Sequence, residues 1–214
     1  NTLYSGNQLK FRRLRSSSSK ENFKFLHDNS TNYTIALFVK SDCQNRFCAL
    51  LGNSHKSSAE TKGVLLGFEG HKTSNSGQLW FRVTNGSSSI INSITKKGAI
   101  KKGESSFILI EFDKSNSLRP ISIYSNNILK DVPANKVKLE DKSFSTEEPN
   151  NHIFLGGELK SMKNGRCVTC YSNSKARSFK GHIGDVIIFK NLLTDEQKSD
   201  LFDFMKVKWG IGNK

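Results

Sequence analysis

Gln78-Leu79-Trp80-Phe81-Arg82-Val83-Thr84 alternates residue by residue and is followed by Asn85-Gly86. In an extended chain successive side chains point to opposite faces. Leu79, Phe81 and Val83 therefore share one face, and Trp80, Arg82 and Thr84 share the other. Asn-Gly is the dipeptide that tight hairpins favour, because both positions tolerate a positive φ. The return strand is expected at Ser89 to Ile94. This stretch reads as a β-hairpin, and the rest of the chain repeats its grammar.

Upstream, Tyr33-Thr34-Ile35-Ala36-Leu37-Phe38-Val39 is apolar almost throughout. A strand of that kind is buried on both faces and sits at the centre of a sheet. Phe47 to Leu51 and Val64 to Phe68 are read as strands, and Gln8 to Arg12 as a first one. Downstream come Ser106 to Phe112, then Ile121 to Tyr124 and Ile128 to Val132 around the turn Ser125-Asn126-Asn127. Ile153 to Leu155 and Gly184 to Phe189 complete the series. One helix stands out. Thr194 with Gln197 three residues on forms a capping-box pattern, and Leu201, Phe204 and Met205 make an apolar stripe that should end near Lys208, before Gly210. No linker and no internal repeat divides the chain. About a dozen short strands and a single late helix predict an all-β, two-sheet antiparallel sandwich of the jelly-roll type, with residues 1–214 as one domain.

The chain has 214 residues and a formal net charge of +14. It is long enough to bury its own core without a metal or disulfides. No apolar run is long enough to span a bilayer, and no signal peptide is read. The start at Asn1, without Met, reads as a mature or excised fragment. The charge favours anionic partners. Lys10, Arg12, Arg13, Arg15, Lys20 and Lys24 form one basic stretch, and Lys160, Lys163, Arg166, Lys175, Arg177 and Lys180 another; a merely solvated surface is the alternative reading. Four cysteines fall in two close pairs, Cys43/Cys48 and Cys167/Cys170. Their spacing leaves open free thiols, disulfides or a four-thiolate zinc site. Glycosylation sequons begin at Asn29, Asn32 and Asn85, and matter only on a secretory route.

Asn151-His152-Ile153-Phe154-Leu155-Gly156-Gly157, then Phe179-Lys180-Gly181-His182-Ile183-Gly184-Asp185-Val186-Ile187-Ile188-Phe189, then Leu192-Leu193-Thr194-Asp195-Glu196 resembles the concanavalin A-like lectin/glucanase superfamily, in its laminin G-like jelly-roll branch. Val207-Lys208-Trp209-Gly210-Ile211 is similar to a tail found in microbial and phage versions. The front half agrees more loosely, with Phe25-Leu26-His27 and Tyr33 to Val39 standing where the family has its opening strand pair. Phe107 and Asn126-Asn127 stand where the family has a Trp-His pair and an Asp-Gly turn. The resemblance implies a sandwich core containing Phe179, Ile183, Val186 and Ile188. Gly181 and Gly184 would allow close backbone approach. Asp185 is expected to accept backbone hydrogen bonds at a strand edge, with a catalytic role as its rival reading.

Catalytic constellations are thin. Hydrolases of this superfamily carry spaced carboxylates on one strand, and glycoside hydrolysis needs two across the sugar. Glu111 and Asp113 come nearest but no third acid follows, and Glu140-Asp141 would point oppositely. His27, His55, His71, His152 and His182 are scattered, and there is no nucleophile elbow. No enzyme is therefore expected. Calcium is possible at Asp28, Asn29 and Asn32, although such a site wants several carboxylates; no other cofactor is indicated. Trp80 and Arg82 are the leading outward candidates for ligand binding, since a sugar stacks on an aromatic face and Arg donates to hydroxyls or acids. The competing reading places Trp80 in the core. His71, Lys72, Asn75 and Tyr171 are expected in loops rimming the same face. The leading expectation is a non-catalytic module recognising a glycan or cell-surface polysaccharide on an extracellular or virion surface. A structural part of a virion or phage tail, working through protein contacts, comes second. Polyanion binding by the basic stretches comes third, with nucleic acid disfavoured and no membrane insertion.

Overall fold

The computed structural model describes residues 21–44, 47–54, 62–86, 89–126, 128–129, 131–132, 144–147, 153–156, 162–163, 166–167 and 179–211. The expected strand Gln8 to Arg12 lies outside them. Described strands are β1 (Tyr33–Ser41), β2 (Cys48–Gly52), β3 (Lys62–Phe68), β4 (Leu79–Asn85), β5 (Ser89–Thr95), β6 (Ser105–Phe112), β7 (Ile121–Ser125), β8 (Ile128–Leu129), β9 (Asp131–Val132), β10 (Phe154–Leu155), β11 (Met162–Lys163), β12 (Arg166–Cys167) and β13 (Gly181–Phe189). They form a five-stranded sheet in the order β13-β1-β6-β7-β8 and a six-stranded sheet in the order β10-β2-β3-β4-β5-β9, with β11-β12 as a separate pair. All pairings between these strands are antiparallel. The sandwich expected from alternation is present.

The two sheets close over one core. The five-stranded sheet contributes Ile35, Leu37 and Val39 from β1 and Ile108, Ile110 and Phe112 from β6; the other contributes Val64, Leu66 and Phe68 from β3 and Leu79, Phe81 and Val83 from β4. Phe179 and Ile183 join them, and Val186 and Ile188 pack at the margin, as the resemblance implied. The near-continuous apolar character of β1 has a plain cause. Its opposite face, with Ala36 and Phe38, meets a second cluster built on Met205, Leu193 and Ile211.

That second cluster seats the helix α1 (Asp195–Trp209) on the outer face of the five-stranded sheet. The expected capping box is formed: the Gln197 N–H donates to Thr194 Oγ1 at 3.2 Å, and the Thr194 N–H donates to Gln197 Oε1 at 3.0 Å. Gly210 ends the helix in a left-handed conformation. Full burial of Met205 alone contributes on the order of 2 kcal/mol. At the helix end, Trp209 stacks on Phe38 with ring centroids 4.6 Å apart. Gly184 makes that stacking possible, because a Cβ there would fall 2.6 Å from Trp209 Cζ2 and 2.8 Å from Phe38 Cδ1.

Two local expectations need correction. Glu21–Leu26 is a 3₁₀ turn rather than part of a strand pair; its Leu26 carbonyl is held by the buried Tyr33 hydroxyl at 3.0 Å. Asp185 accepts the Trp209 indole N–H at 3.0 Å and the Lys208 ammonium at 2.7 Å. It fastens the helix end to β13 instead of accepting backbone groups.

Candidate functional site

Loops at one end of the sandwich are laced into a single surface. These are the β1–β2 connection from Asp42, the β3–β4 loop (69–78), the β5–β6 loop (96–104), and Lys180 before β13. The His71 N–H donates to the Cys43 carbonyl, Gly98 N–H to Ser76, Ile100 N–H to Gly77, Gly103 N–H to Ser41 and Asp42 N–H to Lys180, all at 2.8–3.0 Å. The buried Ser125 hydroxyl adds a bond to the Ala99 carbonyl at 2.7 Å. Backbone donors that would otherwise need water are thus used between loops. The side chains they carry stand on fixed backbone.

Three of the predicted site residues lie here. Lys72 and Asn75 are exposed, and His71 is half-buried. Burial, with Lys102 nearby and Asp42 acting the other way, holds the His71 imidazole below its ordinary value. It is therefore neutral near pH 7, and the positive charge of this end is carried by lysines. Lys72, Lys96, Lys97, Lys101, Lys102 and Lys180 are all exposed. Among the described residues Lys101 pairs with Glu104 at 3.5 Å, and the other five lysines form no ion pair. Tyr171 lies outside the described residues.

Trp80 and Arg82 occupy the outer face of the six-stranded sheet, opposite the shared core. The orientation read from alternation is correct, but an open Trp80 ring is not what the structure has. Trp80 is only 5 % exposed. Phe47 lies against it with ring centroids 4.1 Å apart, and the Arg82 guanidinium sits 5.2 Å from its ring centre. Phe47 reaches Trp80 by crossing Gly67, where any side chain would collide with its ring. Leu65 and Ala49 complete this small apolar cluster. Trp80 faces away from the main core, against the reading that placed it there, and is nevertheless buried.

Cys43 and Cys48 are joined as a disulfide, both fully buried. This closes the zinc and free-thiol alternatives for that pair. Cys167 lies in β12, and Cys170 is outside the described residues. The bridge ties the start of the β1–β2 connection to the first residue of β2, directly beside Phe47.

Of the calcium candidates, Asn29 Oδ1 is buried without a hydrogen-bond partner among the described residues, while the other two are engaged. Asp28 Oδ1 accepts the Ser30 N–H at 2.8 Å, and Asn32 Oδ1 accepts the Lys114 N–H at 3.0 Å. The Lys114 ammonium reaches the Ser30 carbonyl at 2.8 Å. The ammonium of Lys114 therefore stands beside this cluster, at the carbonyl of Ser30. Glu111, the better of the hydrolase candidates, is 8 % exposed and lies 3.4 Å from the Lys198 ammonium of α1. Asp113 instead accepts both the N–H and the hydroxyl of Ser115 in its own turn. The two acids serve separate structural ends. Glu140, Asp141, His55 and His152 lie outside the described residues. No helix among the described residues is long and apolar enough to cross a membrane.

The sequence matches no family model and no curated protein. The fold has solved counterparts. The CBM40 module of the Ruminococcus gnavus IT-sialidase is similar at 18 % identity and a TM-score of 0.58, with 91 % of each chain covered. The same module bound to α2,3 sialyllactose gives a TM-score of 0.56 at 18 % identity, again over 91 % of each chain. The leech intramolecular trans-sialidase is similar at 21 % identity and 0.57, over 91 % of this chain and 25 % of that one. The receptor binding domain of botulinum neurotoxin D is similar at 13 % and 0.55, over 84 % of this chain and 38 % of that one. At such identities the likeness is one of fold alone, that of a two-sheet antiparallel β-sandwich.

Proposed function

We propose that this chain is a non-catalytic carbohydrate-recognition module working at an extracellular surface, with its ligand held at the lysine-bearing loop end. The observation that carries the reading is the lacing of loops 69–78 and 96–104 to one another and to the β1–β2 connection. It presents Lys72 and Asn75 on a backbone that loses little freedom when a ligand binds. The similarity of fold to a module bound to sialyllactose supports it. So does the disulfide, a bond that persists in oxidising compartments. Glu111, held by Lys198, is not poised as an acid or nucleophile. Trp80 serves as support beneath this end rather than as a stacking platform, and Arg82 lies next to it as a donor at the margin.

A glycan array is the direct test. Retention of at least one glycan at millimolar concentration is expected, weakened by Lys72→Ala with Asn75→Ala. Retention of none would remove the reading. A second reading, a structural part acting through protein contacts, is favoured by Phe204 and Val207, which are 55 % and 85 % exposed on α1. Sedimentation of the wild type beside Phe204→Ser/Val207→Ser decides it. A concentration-dependent oligomer dissolved by the double change supports assembly, and a monomer in both removes it.

A further inference from the structure

The two ends of the sandwich differ in charge. At the far end, Lys62 is paired with Glu147, Lys198 with Asp195 and Glu111, and Lys114 is bound to the Ser30 carbonyl. Asp28 and Asp113 lie among them. Cations and carboxylates there are interleaved. Among the described residues the lysine-bearing end has six exposed lysines, with Asp42, Glu69 and Glu104 as carboxylates, and Glu104 is engaged by Lys101. Lys96-Lys97 and Lys101-Lys102 flank the exposed Gly98 in one loop, with Lys72 and Lys180 on its neighbours. Like charges this close repel one another and are maintained against that cost by the loop lacing. An anionic chain laid across them relieves the repulsion and releases its own counterions.

We infer that this end takes a polysaccharide bearing repeated carboxylate or sulfate groups, gripped by Lys72, Lys96, Lys97, Lys101, Lys102 and Lys180 together. This rests on the glycan reading above and narrows its ligand class. The grip is mainly Coulombic, because lysine offers a mobile point charge rather than the planar fork of arginine. It selects charge density along a chain more than the identity of one sugar. The basic stretches singled out in the sequence lie largely outside the described residues; this surface is instead assembled from lysines far apart in the chain.

The test is retention of the whole chain on immobilised sulfated dextran, polyuronate, an uncharged dextran and double-stranded DNA, across a salt series. Sulfated dextran and polyuronate should both hold it. With the six lysines releasing counterions, affinity should fall roughly 300-fold between 50 and 200 mM salt. Lys96→Glu/Lys97→Glu and Lys101→Glu/Lys102→Glu should each weaken retention by about tenfold or more at low salt. The same charge change at the far end, Lys114→Glu with Lys190→Glu, should leave it within about threefold. All these positions are exposed, and a thermal melt checks that each variant folds. Equal retention of both end-loop variants overturns the inference, as does binding of uncharged dextran that ignores salt; either result leaves glycan recognition standing. Tighter retention on DNA than on either acidic polysaccharide overturns it in favour of nucleic acid. Failure to hold any glycan, charged or not, ends both this inference and the reading it rests on.

Discussion

Replacing Cys43 and Cys48 together by alanine should loosen the lysine-bearing end in a measurable way. The bridge joins residues five apart in sequence. For so small a loop, the chain-entropy relation gives about 2 kcal/mol of stabilisation. For a domain of this size that corresponds to a fall in Tm of roughly 4–8 °C. The consequence should also be local. Cys43 carries the carbonyl that receives the His71 N–H, and Cys48 directly follows the Phe47 that covers Trp80. The chain has two tryptophans, so Trp209→Phe isolates the fluorescence of Trp80. In that background the alanine pair should raise acrylamide quenching of Trp80 well before global unfolding. An unchanged Tm, or quenching that rises only with the main transition, would refute the argument that the bridge is what seats Phe47.

Three further outcomes follow from named contacts. His27 is 1 % exposed; its Nε2–H donates to the Glu147 carbonyl at 3.0 Å, and its Nδ1 is buried without a hydrogen-bond partner among the described residues. Burial, helped by Lys62 and Lys24 against Asp28, lowers its pKa from 6.5 to about 4. The unfolded chain therefore takes the proton first. Stability should fall by about 1.4 kcal/mol per pH unit below about 6.5 and level off near pH 4, a loss of about 3 kcal/mol that His27→Gln removes in urea melts. Gly184→Ala should cost about 1–3 kcal/mol by prising Trp209 from Phe38, read as a lower Tm and a changed near-ultraviolet Trp signal; a neutral effect would show that the stacking relaxes freely. Burial of the Asp185 carboxyl is outweighed by the hydrogen bonds from Lys208 and Trp209 and by the Lys208 charge, which hold it below its ordinary value. Its contribution is present above about pH 4 and lost on acidification. Asp185→Asn should accordingly lower Tm at pH 7 more than at pH 3, and an equal effect at both would contradict the pairing.

Most of the fold was legible because period-two alternation and turn chemistry agree along the chain. β4, the two-faced burial of β1 and the Thr194 cap each follow from a few adjacent residues. The site was harder to read for a physical reason. Alternation assigns Trp80 a face but does not say what lies on that face, and Phe47 reaches it only because Gly67 leaves room. The lysine-bearing end is drawn from four separate parts of the sequence, brought together by backbone bonds such as Gly98 to Ser76. The doublets Lys96-Lys97 and Lys101-Lys102, flanking a glycine between two strands, were the one visible signal. Nothing in the spacing of Cys43 and Cys48 distinguished a disulfide from a metal ligand pair. Likewise, the spacing of Asp28 and Asn32 did not show that Asn32 Oδ1 accepts the Lys114 N–H or that the Lys114 ammonium reaches the Ser30 carbonyl.

The most direct measurement is a titration of the isotopically labelled chain with an array-selected glycan, followed by amide chemical shifts. Shifts should move in residues 69–78 and 96–104 and at Asp42, Cys43 and Lys180, and saturate together with one dissociation constant. Shifts confined to α1 around Phe204 and Val207, or none at millimolar glycan, would contradict the account.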